Sequence, residues 1–111
     1  MDKYNLGTVQ QGISKTVLYD GNISSAGTYA LSDSVYNYKL IIVEHCYGDG
    51  RKLYKQSNVI VGIYNDIYSY MICHGNESYS NSSVFHFSND GNNIVVDFDN
   101  GEHITKIIGI N

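Results

Sequence analysis

Apolar residues along this chain recur mainly at every second position, in short runs of five to nine residues. In the run from Ser83 to Phe87, Ser83, Phe85 and Phe87 share one face of a strand while Val84 and His86 share the other. No segment of useful length shows the i, i+3, i+4 spacing of an amphipathic helix. The pattern therefore predicts a chain built of β-strands.

Turn-forming residues separate these runs. Predicted turns lie at Asp20–Asn22, at Ser88–Asn92 and at Asp99–Gly101, where Gly and Asn adopt the required backbone conformations easily. Gly75–Asn81 is predicted as a polar loop. Ser32–Asn37 is predicted as one helical turn or a tight loop, with its first serine as the cap.

The count of runs leads to the fold class. About eight strands joined by short connections predict an all-β, antiparallel β-sandwich with a jelly-roll-like arrangement, and a closed barrel is the alternative. Residues 1–14 lack a clear period and are predicted as an N-terminal linker or collar of a longer protein. Residues 15–111 are predicted as the β-sandwich domain.

Composition and charge narrow the possible partners. Charged residues make up 16% of the chain, against about 25% in typical soluble domains, so Ser, Asn and eleven Tyr must cover much of the surface. A net charge of −4 argues against nucleic acid, whose phosphates need a basic patch. The longest wholly apolar run is Leu40–Val43, so no membrane-inserted segment is predicted.

Two stretches of the chain carry a family resemblance. The first is Thr16–Asn22 together with Gly27–Val43, which holds a Gly-Thr strand, a Ser-Asp-Ser turn and a Tyr-Lys strand. The second is the closing Ile104–Ile110, with its Thr-Lys-Ile sequence. Together they resemble the C-terminal domain of bacteriophage and prophage tail-fibre, baseplate and head-fibre proteins. The part from Glu44 to His103 matches no motif of that group.

The resemblance implies a function and a location. Such a domain is a β-sandwich fibre tip, usually a homotrimer, that attaches the virion to a glycan or protein on the bacterial surface. It is made in the bacterial cytoplasm and joins the rest of a phage fibre. The resemblance supplies no catalytic residue, and the expectation is a non-enzymatic, receptor-binding protein.

Catalytic chemistry has little support in the residues themselves. No nucleophile elbow, zinc-protease helix motif or phosphate-binding glycine loop occurs. Cys46 and Cys73 are predicted as buried free thiols, with a disulfide as the alternative. A nucleophilic pair of Cys46 with His74 requires neighbouring strands. Asp97 and Asp99 share a face, as a glycosidase carboxylate pair does, but at a turn.

The sequence predicts no cofactor and no metal. The four histidines never occur as His-x-His, the spacing that places two imidazoles on one face of a strand. Asp97–Gly101 partly matches a calcium-binding loop, although it lacks the later Glu and fits a hairpin turn better.

Tyrosines beside polar turns are the predicted ligand-binding groups. An aromatic face with nearby Asn, Asp and Arg groups is typical of sugar recognition, whereas the same tyrosines could simply pack within a sheet. The candidate residues are Tyr47, Asp49, Arg51, Tyr54, Tyr64, Asp66 and Tyr79.

Self-association is the other predicted use of the surface. Leu40, Ile42 and the Ile-rich last strand carry more apolar surface than one face of a small sandwich must bury, and threefold packing or a two-sheet core could absorb it. The alternatives to a fibre tip are a carbohydrate-binding module of a larger enzyme and a purely structural fibre or capsid cap. A small hydrolase ranks last.

Overall fold

Eight strands form two four-stranded antiparallel sheets in the computed structural model of this chain. The structure describes residues 14–48, 53–61, 63, 69–76, 79–97 and 102–111. The strands are β1 (Lys15–Ile23), β2 (Gly27–Ala30), β3 (Leu40–Gly48), β4 (Leu53–Val61), β5 (Tyr70–Asn76), β6 (Tyr79–Phe87), β7 (Asn93–Asp97) and β8 (Glu102–Ile110), with one 3₁₀ turn at Val35–Asn37.

The first sheet has the strand order β1-β8-β3-β4 and the second has the order β2-β7-β6-β5. A single apolar core, with Ile41, Ile104 and Ile107 from the first sheet and Phe85 and Ile94 from the second, lies between them. The predicted all-β sandwich of eight strands is thereby confirmed. The jelly-roll-like element is the nesting of β1 with β8 and of β2 with β7, whereas β3–β4 and β5–β6 pair as neighbours in sequence.

All odd-numbered strands run toward one end of the sandwich and all even-numbered strands run back. We call the end where β1, β3, β5 and β7 finish the upper end, and the opposite one the lower end. The alternation follows because every pairing is antiparallel and only three residues join β1 to β2. Residue positions can therefore be assigned to an end from the strand register alone.

Alternation within β6 and β7 follows the predicted faces. Ser83, Phe85 and Phe87 are buried, and Val84 and His86 are exposed. Tyr70 packs on the same aromatic group, with its ring centroid 5.5 Å from that of Phe85 and 6.2 Å from that of Phe87. The pleat places these rings on one face, where they fill the sandwich interior.

Two predicted loops are strands instead. The predicted turn at Asp20–Asn22 is wrong, because β1 continues to Ile23, whose fully buried side chain fixes the strand end opposite Ile104. An irregularity in the pairing between Asp20 and Ile23 accommodates the intervening glycine and asparagine. The predicted loop at Gly75–Asn81 is also wrong, since β5 extends to Asn76 and β6 begins at Tyr79.

The helical turn begins two residues later than predicted. Ser34, not Ser32, is its cap, and the Ser34 hydroxyl accepts a hydrogen bond from the Tyr36 backbone N–H at 3.2 Å. Ser32 instead donates from its hydroxyl to the Val17 carbonyl, at 3.0 Å. Ser34 caps the turn because Ser32 is already bonded to β1, which is a tertiary contact. No helix in the described ranges is long and apolar enough to cross a membrane.

Candidate functional site

The predicted ligand-binding residues lie at several places in the fold. Tyr47 and Tyr54 are directly opposed register partners of β3 and β4, next to the upper end. Tyr79 opens β6 at the same end, opposite Asn76. The structure therefore brings these three backbone positions to the upper end of both sheets, and Tyr79 lies in a strand, not in the predicted loop.

The remaining four candidates, Asp49, Arg51, Tyr64 and Asp66, lie outside the described residues. The strand ends that flank the stretch with Tyr64 and Asp66 are Val61 and Tyr70, at the lower end. All seven residues remain predictions as ligand contacts.

Cys46 and His74 lie in different sheets. Cys46 belongs to β3 of the first sheet and both Cys73 and His74 belong to β5 of the second, so the cross-strand pairing required for a Cys46–His74 nucleophile does not form. Cys46 is a free, half-buried thiol. Burial raises its pKa, with a further increase from Glu102 and an opposing effect of Lys55. The thiolate is therefore less populated at neutral pH than in an ordinary cysteine.

A buried polar chain joins the two sheets near the upper half of the core. His45 is almost fully buried, and its Nε2 lies 2.6 Å from Oδ1 of Asn58. The Asn58 amide donates from Nδ2 to the Met71 carbonyl of β5, at 3.2 Å. Because that donor fixes the amide orientation, Oδ1 accepts and His45 carries a proton on Nε2. This histidine is a structural link between β3 and the second sheet.

The other histidines are dispersed. His103 contacts the Asn22 side chain, with 3.1 Å between Nδ1 and Oδ1, and His86 is exposed on β6. No group of three metal-ligating side chains occurs among the residues that the structure describes. Asp97 is exposed at the end of β7, whereas Asp99 falls outside the described ranges.

Two turns at the lower end dock onto each other. Asp33 accepts hydrogen bonds from the Ser34 N–H, the Asn37 amide and the Tyr38 hydroxyl, at 2.8 to 2.9 Å. The Tyr38 bond is the largest of the effects that lower the pKa of Asp33. The Ser34 hydroxyl donates in turn to the Asp90 carbonyl, at 2.8 Å.

The partner turn has its own carboxylate. Asp90 accepts from the Asn92 N–H at 3.0 Å and from the Ser88 hydroxyl at 2.7 Å, and these bonds lower its pKa. Gly91 adopts φ +75°, and a Cβ there would collide with the Ser34 hydroxyl. The sequence predicted both turns but not their contact, because the contact joins residues 56 positions apart.

An aliphatic row crosses the outer face of the first sheet. Val17 of β1, Ile108 of β8, Ile42 of β3 and Val59 of β4 are successive register partners across all four strands. We call these four residues the outer row. Val17 is 43% exposed and Val59 is 59% exposed at the two edges, Ile42 is half-buried, and Ile108 is 6% exposed at the centre.

A second set of aliphatic residues extends this surface toward the lower end. Leu40 pairs with both Ile110 and Val61 on the same outer face, and Val61 is 74% exposed. The outer face at Leu40 and Val61 is therefore not fully covered within one chain. The alternation of residues in β4 is the sequence pattern that indicates this face. Val59 and Val61 share one side of the strand, while the opposite side holds Ile60, which is buried.

Charged residues follow the outer row on its upper side. Asp20, Lys106, Glu44 and Ser57 form the next cross-sheet row, in which the charges alternate in sign. Lys55 approaches Glu44, with 3.8 Å between Nζ and Oε1. The surface thus combines a lower part that is aliphatic except for Lys15 on the β1 edge with a charge-balanced upper part.

Comparison with known proteins adds no relative, since no family profile matches this chain and no curated protein is significantly similar to it.

Proposed function

We propose that this domain is a non-enzymatic fibre tip or receptor-binding domain of a bacteriophage particle, which trimerises and attaches to a glycan or protein on the bacterial surface. It would be made in the bacterial cytoplasm and become part of the virion. The proposal starts from the sequence resemblance and is supported by how the resembling stretches lie in the fold.

The two resembling stretches are adjacent in three dimensions. β8, which contains the closing motif, lies between β1 and β3, which carry the first and last parts of the opening stretch, whereas the Gly-Thr strand of that stretch is β2 of the second sheet. Residues from opposite ends of the chain therefore build one continuous three-stranded unit, as expected of a shared scaffold. The strands β4 to β7, which match no motif, form one edge of the first sheet and most of the second.

The observation that carries the proposal is the aliphatic outer face of the first sheet. The core between the sheets is already complete without Val17, Val59 and Val61, which are exposed. Contiguous exposed apolar surface of this kind is typical of protein–protein contact sites. It fits a domain that is held against other subunits by one sheet and presents its remaining surface to a receptor.

The upper end is the part proposed to contact the receptor. Tyr47, Tyr54 and Tyr79 lie there, and Asp49 and Arg51 occur between the first two in sequence. Tyrosine supplies a large apolar face with a polar tip, and carboxylate and guanidinium groups orient hydroxyls or charged groups of a ligand.

The test is binding of fluorescently labelled protein to a panel of bacterial strains and to a glycan array. We expect binding to a narrow set of strains, and at least a tenfold loss when Tyr54 and Arg51 are both replaced by alanine. His86→Ala, exposed on the outer face of the second sheet, is the matched control and should bind normally. Binding to soluble polysaccharide by a monomer would favour the carbohydrate-binding module. Absence of any binding would leave a structural cap and refute receptor attachment.

A further inference from the structure

We infer that three copies of this chain close their first sheets into a triangular prism, in which the outer row becomes a continuous ring and the edge strand β4 of each copy lies beside β1 of the next. This inference rests on the proposed trimer and identifies the surface and the strands that meet between copies. Four features of the described residues lead to it.

The first feature is the completeness of the outer row. Val17, Ile108, Ile42 and Val59 occupy one level across the sheet, and the row is interrupted by no polar residue. Its exposure is greatest at the two ends, at Val17 and Val59, and least at Ile108. Both exposed ends lie on the outermost strands of the sheet, β1 and β4. Covering the two ends therefore favours contact from edge to edge.

The second feature is the direction of the two edge strands. β1 and β4 are the outermost strands of the first sheet and run in opposite directions. Rotation about an axis parallel to the strands brings β4 of one copy beside β1 of the next in antiparallel orientation. Val59 then lies at the level of Val17 in the neighbouring copy.

The third feature is the width of the sheet. Four strands at a spacing of about 4.8 Å make a side of about 19 Å. An equilateral triangle with that side has its centre about 5.5 Å from each face, close to half the ~10 Å that separates packed sheets. The aliphatic side chains of three such faces therefore fill the axis. Two copies that meet edge to edge could not enclose an axis, and four copies would leave a channel along it.

The fourth feature is charge. Above the outer row, Asp20 and Glu44 are balanced by Lys106 and Lys55, so that this upper level brings no net charge toward the axis, while the exposed Lys15 lies at the lower rim, opposite Ile110. Asp20 lies on the β1 edge and Lys55 on the β4 edge, and both are exposed. The closed arrangement places these opposite charges along the same boundary between copies.

Engineered disulfides test the arrangement directly. Val17 and Val59 of one chain are three strand spacings apart, about 14 Å, too far for a disulfide within the chain. We expect the double variant Val17→Cys with Val59→Cys, with Cys46→Ser and Cys73→Ser, to give linked species of up to three chains under oxidation. Each single variant, Val17→Cys or Val59→Cys, should give no linked species. Linkage by Val59→Cys alone would indicate β4–β4 pairing, and linkage that stops at two chains would indicate a dimer; either result overturns the prism.

A charge substitution gives an independent measurement. Val59→Lys should reduce the mass measured by light scattering from three chains to one, while circular dichroism and the melting curve of the single chain stay normal. The matched control is Met71→Lys, because Met71 is also 59% exposed on an edge strand, but on the outer face of the second sheet. It should remain a trimer. A wild-type monomer, or a trimer that Val59→Lys does not affect, would refute the inference.

The cell-binding assay separates this inference from the proposed function. A monomeric wild type that still binds bacteria would refute the prism and leave receptor attachment standing. A prism confirmed by cross-linking, with no binding to any strain or glycan, would refute attachment and leave the assembly standing.

Discussion

The outer faces of the two sheets differ although the sheets have the same number of strands. On the first sheet, the outer row is aliphatic across all four strands. On the second, the corresponding rows mix residue types, with Val95 between Thr28 and His86, and Val84 between Met71 and Asp97.

Single exposed apolar residues are normal on soluble proteins, whereas a contiguous set usually marks a contact surface. Val84 and Met71 are exposed to a similar degree as Val17 and Val59, so exposure alone does not distinguish the faces. What distinguishes them is continuity across strands, which only the register shows. From this comparison we propose that the first sheet makes the subunit contacts and that the second faces solvent.

The largest expected effect is on the free energy of unfolding, when residues at the centres of the two outer faces are compared. Ile108→Ala should destabilise the chain by about 3 kcal/mol, because a side chain that is only 6% exposed is lost and leaves a cavity. Val84→Ala, at the middle of the second sheet's outer face, should cost less than about 1 kcal/mol. Urea unfolding measures both, and equal losses would contradict the difference between the faces.

A glycine substitution tests which side of β8 faces inward. A Cβ on Gly109 would lie 2.5 Å from the Tyr38 ring, which is held by its hydroxyl bond to Asp33 at 2.9 Å. Gly109→Ala should therefore cost about 1 to 3 kcal/mol by overpacking. In the control Gly21→Ala, the new Cβ meets the outer end of the Tyr19 ring at 3.2 Å, which can move aside.

A neutral Gly109→Ala variant, measured by the same urea unfolding, would mean that Gly109 faces outward. Ile108 would then point into the core, and the outer row would lose its central member.

Isosteric polar substitutions should affect association more than folding. Val59→Thr keeps the side-chain shape and replaces a methyl with a hydroxyl at an exposed position, so the unfolding free energy of the single chain should change by less than about 0.5 kcal/mol. Association should weaken about tenfold or more, because each of three copies must desolvate the new hydroxyl. Sedimentation over a range of concentrations measures this, with Met71→Thr as the unaffected control. Equal behaviour of the two variants would contradict the assignment of the faces.

The smallest expected effect is that of acid on stability, and it acts at the turns of the lower end, away from both outer faces. The pKa values of Asp33 and Asp90 are lowered, so the carboxylates stabilise the fold fully above their ordinary pKa of 3.8. That contribution is lost as the pH falls through their lower folded-state values. The urea midpoint should therefore fall below about pH 4, and Asp33→Asn with Asp90→Asn should flatten that slope. A double variant whose midpoint falls as steeply as that of the wild type would exclude these turns as the cause.

Local chemistry made much of the fold predictable. Alternation placed Phe85 and Phe87 on one face of a strand and Val84 and His86 on the other, since the two-residue period of a strand is set by its own backbone. The turn at Ser88–Asn92 was also predictable, because its residues bond to one another. The predicted turn at Asp20–Asn22 was wrong because a buried Ile23 and the pairing with β8 outweighed the local preference for a turn.

The candidate surface was predictable only in part. The sequence indicated excess apolar residues at Leu40, Ile42 and the last strand, but it did not include Val17 or Val59. Those two residues join the same surface through strand register, which depends on pairings between distant segments such as β1 with β8.

The sequence by itself determined that the chain forms strands, about how many, and where most of the turns lie. These properties depend on alternation and turn chemistry within a few residues. Only the tertiary structure decided that β8 inserts between β1 and β3, that Cys46 and His74 lie in different sheets, and that four aliphatic residues form one row. Long-range pairing is selected by the burial of the whole core, and no short segment contains that information.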